Sequence, residues 1–152
     1  MNALKYLQEL DYLDKRKRYP SLPEHAIART RFSDKSANDL TRAILRFLEL
    51  HGHWATRVNS TGRKLKDTHI VDVIGRGRTI PGRWIPGTTR RGTADIHSVI
   101  NSRHVSIEVK VGRDTMSPEQ RKAKEAIEKA GGIYYIARSF QGFHEWYNEL
   151  VQ

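Results

Sequence analysis

Between His104 and Val111 the chain alternates with a period of two. Val105, Ile107, Val109 and Val111 are apolar, and Ser106, Glu108 and Lys110 stand between them. That pattern predicts a strand whose two faces meet different surroundings. Ala94 to Ile100 is a second predicted strand, and the short polar turn between them makes a hairpin. Elsewhere the period is helical. Leu40, Ile44, Phe47, Leu48 and His51 recur on one face of a helix that Ser36 caps, with Asp39 three residues on, and that Gly52 ends. Ser117-Pro118-Glu119-Gln120 is a second helix start, with an N-cap serine, proline at the first helical position and glutamine at the third. Ala123, Ile127 and Ala130 give that helix a buried stripe, and Gly131-Gly132 stop it.

Leu4, Leu7 and Leu10, with Tyr6 and Leu13, predict a short amphipathic helix over residues 3–14, followed by the basic run Lys15 to Arg18. Pro20 and Pro23 then make 19–35 an irregular arm. Residues 53–59, 69–74 and 133–138 read as strands. Ser139 caps a last helix whose Phe143, Trp146, Tyr147 and Leu150 face inward. From residue 36 onward, leaving the 69–74 strand aside, the core order is α-β-β-β-α-β-α, an α/β domain with a mixed central sheet flanked by helices, preceded by the helix and arm of residues 1–35. Residues 75–92 hold five glycines, two prolines and five arginines. They predict an extended loop or ragged hairpin, longer than a compact domain keeps without a functional reason.

Charge sharpens this picture. The 152-residue chain carries a formal net charge of +10, and the stretch from Arg57 to Arg91 holds nine basic residues against two acidic ones. A local excess of +7 points to a polyanionic partner, and Arg76, Arg78, Arg83, Arg90 and Arg91 are the candidate phosphate contacts. Cysteine is absent, which excludes a disulfide scaffold, thiolate zinc sites and thiol catalysis, and fits a reducing compartment. Neither a signal-peptide pattern nor a membrane-length apolar run is present, so an intracellular protein is expected, cytoplasmic or nucleoid-associated in a prokaryote or phage-infected cell.

The hairpin carries the chemistry. With Asn101 and Ser102 at the turn, Ile100 pairs with Arg103, and counting outward sets Asp95 opposite Glu108. Cβ atoms of directly opposed residues lie about 4.5–5.5 Å apart, where like charges repel. Lys110 is two residues beyond Glu108 and shares its face. Mg²⁺ or Mn²⁺ would offset the repulsion, because hard cations prefer carboxylate oxygens. Gln120 lies on the Ala123/Ile127 face and points at the sheet, with a capping box as its other available role. His97 shares the strand face of Asp95.

Gly92-Thr93-Ala94-Asp95-Ile96, Ile107-Glu108-Val109-Lys110, Met116-Ser117-Pro118-Glu119-Gln120 and Gly131-Gly132 together resemble the VRR-NUC branch of the PD-(D/E)XK nucleases, over roughly residues 36–138. The resemblance implies a restriction-endonuclease-like αβββαβ core and a structure-directed DNA endonuclease of replication or repair. It also implies Asp95 and Glu108 as metal ligands with the Val109 carbonyl contributing, Lys110 positioning or activating water, and Gln120 supporting the site. Branched or flapped DNA is the expected partner, with a homodimer admitted. One departure stands on the first core helix, where family members often carry a site-facing glutamate and this chain has Ala37 and Thr41.

Other readings compete less well. His51, His53 and His69 suggest zinc or an HNH nuclease, but no second ligand cluster accompanies them. Gly75-Arg-Gly-Arg lacks the third glycine and the βαβ context of a dinucleotide fingerprint. A non-catalytic nucleic-acid-binding protein on the same fold is the main alternative. A basic membrane-surface protein ranks below it, for want of a basic amphipathic helix.

Overall fold

The computed structural model describes residues 2–58, 62–85, 87 and 90–152. Helix α1 spans Ala3–Arg18, α2 Ala37–Leu50, α3 Pro118–Lys129 and α4 Phe140–Val151. The strands are β1 (Trp54–Arg57), β2 (Arg63–Lys64), β3 (Thr68–Val71), β4 (Gly77–Ile80), β5 (Trp84–Ile85), β6 (Ile96–Ile100), β7 (Arg103–Val109) and β8 (Ile133–Ala137). The central sheet runs β1-β6-β7-β8, with β1, β6 and β7 antiparallel and β8 parallel to β7. A parallel neighbour needs a crossover, which α3 supplies. The architecture is therefore mixed α/β.

The two faces of the sheet differ. Ile96 and Ile100 of β6, with Val105, Ile107 and Val109 of β7, enter one core with Leu40, Ile44, Phe47 and Leu48 of α2 and Phe140, Phe143 and Tyr147 of α4. Complete burial of such a side chain contributes about 1.5–3 kcal/mol, so α2 alone anchors that layer firmly. The same core takes Ala3 and Leu7 of α1. Arg46 of α2 ties α1 down further, donating to Asp11 Oδ1 at 2.7 Å and Asp14 Oδ2 at 2.5 Å. Thr30 donates to Asp11 Oδ2 at 2.6 Å, which fixes the arm on the same network. Residues 2–35 are thus integrated with the rest of the body through these side chains.

Several expected boundaries shift. Helix α1 continues through Lys15–Arg18, because Lys15 pairs with Asp11 at 2.9 Å and Arg18 with Asp14 at 2.6 Å one turn back. Leu13 is exposed instead of facing the core. The strand expected over 69–74 ends at Val71, since Asp72–Arg76 turns back on itself. Within the expected loop or ragged hairpin of 75–92, β4 pairs with β3, and β5 with β2, in two small ribbons, while residues 86, 88 and 89 of that stretch lie outside the described residues. In α3, Ala123 and Ile127 are only half-buried and Ala130 is exposed, so that helix covers its face of the sheet thinly. That thin cover leaves room for polar residues beneath.

Candidate active site

The β6–β7 hairpin takes the register read from its sequence. Ile100 faces Arg103 and Ile96 faces Ile107, which sets Asp95 and Glu108 opposite each other at the end of the ladder. Asn101 and Ser102 both adopt positive φ, at 47° and 64°, as a two-residue turn matched to strand twist requires. Asp95 lies one residue before β6, and its Oδ2 accepts from the Val109 amide at 2.9 Å. Its side chain thereby bridges to β7 beside Glu108.

Glu108 is the centre of the cluster and is only 2% exposed. Lys110 Nζ lies 3.0 Å from Glu108 Oε1 and 3.3 Å from Asp114 Oδ2. Gln120 Nε2 donates to Glu108 Oε1, and Tyr134 donates its hydroxyl to Glu108 Oε2 at 3.4 Å. Burial pushes the Glu108 carboxyl above the usual carboxylate range, and the Asp95 charge adds to the push against Lys110 and Tyr134. Lys110 moves up as well: burial opposes its charge, but Glu108 and Asp114 outweigh that cost and keep it an ammonium. Burial and then the facing carboxylates raise the Tyr134 phenol, so it remains a donor.

Gln120 fills both roles open to it. Its Oε1 accepts from the Ser117 amide at 2.9 Å, closing the capping box, while its amide nitrogen reaches Glu108. The start of α3 is therefore fixed to the sheet through one side chain. Gly92 fixes it a second way. A Cβ at Gly92 would stand 2.4 Å from the Glu119 carbonyl oxygen, and its φ of +81° suits glycine alone. The loop leading into Asp95 and the first turn of α3 can meet only because that Cβ is missing.

Tyr134 is the site residue that sequence reasoning missed. It sits beside Ser106 in the parallel β7–β8 register, a pairing made across α3 that no turn specifies. The alternation of β8 would place it on a defined face, but not on which one. His97 does share the site face, opposite Ser106, with Nδ1 3.1 Å from His104 Nε2. Burial, then His104, lowers its pKa and so favours its neutral form. The histidines that suggested zinc find other partners: His53 meets the Tyr147 hydroxyl at 2.7 Å, His51 the Phe47 carbonyl at 2.8 Å and His69 the Thr79 hydroxyl at 2.8 Å.

The donor set suits a hard divalent cation. Asp95 and Glu108 offer only oxygen, and a cation relieves both the burial that mainly raises Glu108 and the smaller repulsion from Asp95. Among the described residues no three His, Cys, Asp or Glu gather into a cage. Two carboxylates instead match an ion that completes its shell with carbonyl, water and substrate oxygens, as Mg²⁺ commonly does. Arg76, Arg78 and Arg83 are exposed on the ribbons, whereas Arg90 and Arg91 are exposed on the loop that leads to Asp95. No helix among the described residues is long and apolar enough to cross a membrane. No protein-family model matches this chain, and no curated protein does.

Proposed function

We propose that the chain is an Mg²⁺- or Mn²⁺-dependent nuclease of restriction-endonuclease-like fold, a VRR-NUC-type enzyme that hydrolyses phosphodiester bonds in structured DNA. The observation that carries this reading is the buried Glu108 carboxylate. It is held across a hairpin from Asp95, joined to Lys110 at 3.0 Å and bound by Gln120 from the next helix. A buried carboxylate that faces a second acid costs stability and is retained where the charge is used.

Asp95, Glu108 and the Val109 carbonyl would hold the cation, which when bound supplies positive charge to the phosphate and makes water more acidic. Lys110 sits where it can orient the attacking water and offset charge developing on phosphorus-bound oxygen. Gln120 and Tyr134 hold the Glu108 oxygens in place, so the carboxylate needs no rearrangement when substrate arrives. Water oxygen joins phosphorus, the ester P–O bond breaks, and the leaving alkoxide takes up a proton. Arg90 and Arg91 lie close enough in sequence to Asp95 to grip the phosphates flanking the cut, and Arg76, Arg78 and Arg83 reach further along the duplex.

A non-catalytic DNA-binding protein is the second reading, favoured by one observation: α2 carries the buried Thr41 where the VRR-NUC resemblance would lead one to expect an acid. Labelled linear, flapped, splayed and four-way DNAs, incubated with Mn²⁺, Mg²⁺, Ca²⁺ or EDTA, separate the two readings. Cutting is expected with Mn²⁺ and Mg²⁺, and binding with little turnover in Ca²⁺. Binding without cutting under every condition favours the second reading, and full cutting in EDTA refutes the metal mechanism.

A further inference from the structure

The β3–β4 ribbon ends in a turn that is built rigidly yet points apolar side chains into water. Asp72 Oδ1 accepts from the Ile74 amide at 3.0 Å and the Arg76 amide at 2.8 Å. The Asp72 amide donates to the Arg76 carbonyl at 3.0 Å, and the Gly75 amide returns to the Asp72 carbonyl at 3.0 Å. Gly75 permits the reversal with a φ of +78°. On this frame Val73 is 105% exposed and Ile74 70% exposed, with Val71 behind them at 69%. Single exposed aliphatics are ordinary, but three of them on the tip of a preorganised turn gain nothing from water.

Charge identifies what would cover them. Over residues 63–85 six basic residues stand against Asp67 and Asp72. Both acids are engaged with backbone amides inside the ribbons, Asp67 with Gly82 at 2.8 Å and Asp72 with its own turn. The ribbon thus offers an apolar tip followed at once by Arg76 and Arg78, the latter facing Ile70 across the ladder. An apolar protein groove would leave those guanidiniums unpaired, whereas duplex DNA supplies base faces for the tip and phosphates for the arginines. Apolar wedges that part base steps and kink the duplex, beside basic contacts, are an established way of holding bent DNA.

We propose that the β3–β4 ribbon is a wedge: Val73 and Ile74 insert at an opened base step of duplex DNA while Arg76 and Arg78 hold the flanking phosphates. The proposal rests on the DNA-binding part of the function proposed above and not on its chemistry. It explains why the turn is braced by Asp72, since a wedge must stay rigid to unstack bases.

The test uses the whole protein in EDTA, so no cutting is needed, with 2-aminopurine placed at the branch of a flapped duplex and at successive positions of a linear one. Wild type is expected to raise the fluorescence several-fold at one position. Val73→Ser with Ile74→Ser should lose that rise while keeping the salt slope of binding. Arg76→Gln with Arg78→Gln should keep the rise at saturating protein but lower the slope by about 1.8, at roughly 0.9 per phosphate released. Unchanged circular dichroism and melting would confirm that the serine variant is folded, as expected for side chains outside the core. The wedge is refuted if wild type binds without any rise, or if the serine variant unstacks bases as wild type does. It is equally refuted if sedimentation shows that the serine variant loses only self-association, which would make the tip a contact between protein copies. Absence of cutting in Mn²⁺ with the rise intact would sink the nuclease reading and leave the wedge standing.

Discussion

Replacing Glu108 by glutamine separates what that carboxylate does for the fold from what it does for a cation. The side chain is 2% exposed, and glutamine keeps its shape and its capacity to accept from Tyr134. Two changes oppose each other in the metal-free protein. With the glutamine oxygen turned to Tyr134, Lys110 loses its partner at 3.0 Å but keeps Asp114 at 3.3 Å, and the Gln120 amide loses its acceptor, a combined loss of about 2–4.5 kcal/mol for one charged and one neutral hydrogen bond. Against that, the carboxylate's own burial and its repulsion by Asp95, which together push its pKa up, disappear. The metal-free melting temperature should therefore move by only a few degrees. Mn²⁺ changes the comparison. At a concentration about 100-fold above its dissociation constant, an ion binding only the folded state adds about 2.7 kcal/mol. At about 2–4 °C per kcal/mol for a chain of this size, wild type should gain about 5–11 °C. Glu108→Gln should gain almost nothing. Scanning calorimetry across a Mn²⁺ titration reads both quantities, and an equal Mn²⁺-induced gain in variant and wild type would refute Glu108 as a ligand.

Gly92→Val should impair cutting more than stability: the left-handed backbone costs about 1–2 kcal/mol, and the new side chain meets the Glu119 carbonyl and displaces the Asp95 loop from α3. Turnover and melting measured on one preparation check this, and full turnover would show the close approach to be dispensable. Asp11→Asn should lower the melting temperature by about 6–12 °C at pH 7, from a loss of about 3 kcal/mol. Burial opposes the Asp11 charge, but Thr30, Lys15 and Arg46 outweigh it and hold the carboxyl below its ordinary 3.8. The stability it adds is therefore fully present above about pH 3.8, is lost as pH falls through the folded value, and should be missing from the variant's acid melts. Neutralising Arg76, Arg78, Arg83, Arg90 and Arg91 together should lower the slope of log K against log salt by about 0.9 for each phosphate the variant no longer neutralises. A variant that retains Arg90 and Arg91 should cut nearly normally at saturating DNA, and wild-type binding by the quintuple variant from low to physiological salt would remove the basic stretch from the interface.

The parts of the fold legible in the sequence are those where one local rule decides. The two-residue turn at Asn101-Ser102 admits one register, so the facing of Asp95 and Glu108 follows from counting. Ser117 and Gln120 announce a helix start because the capping box is made within four residues. Tyr134 escapes because parallel pairing across a crossover depends on tertiary packing. Val73 and Ile74 read as strand, wrongly, for a related reason: apolar residues imitate a buried strand, and nothing local tells that Asp72 will bind the amides of Ile74 and Arg76 and turn the chain. The ribbons of residues 63–85 are short and lack alternation, so beyond the strand read at 69–74 their partners and register cannot be read from the pattern. Lys15 to Arg18 read as a basic run beyond the helix because their helical continuation depends on the spacing of Asp11 and Asp14 one turn earlier.

Cleavage by Asp95→Asn is the most direct measurement of the central claim. Asp95 is half-exposed and outside the apolar core, and asparagine can still accept from the Val109 amide, so the fold should survive. Wild type and variant would be incubated with the flapped and four-way DNAs in Mn²⁺, with circular dichroism and DNA binding measured on the same samples. Loss of essentially all cutting, with fold and binding retained, is the expected result. Cutting by Asp95→Asn at the wild-type rate would contradict the claim that Asp95 and Glu108 form a metal-dependent nuclease centre.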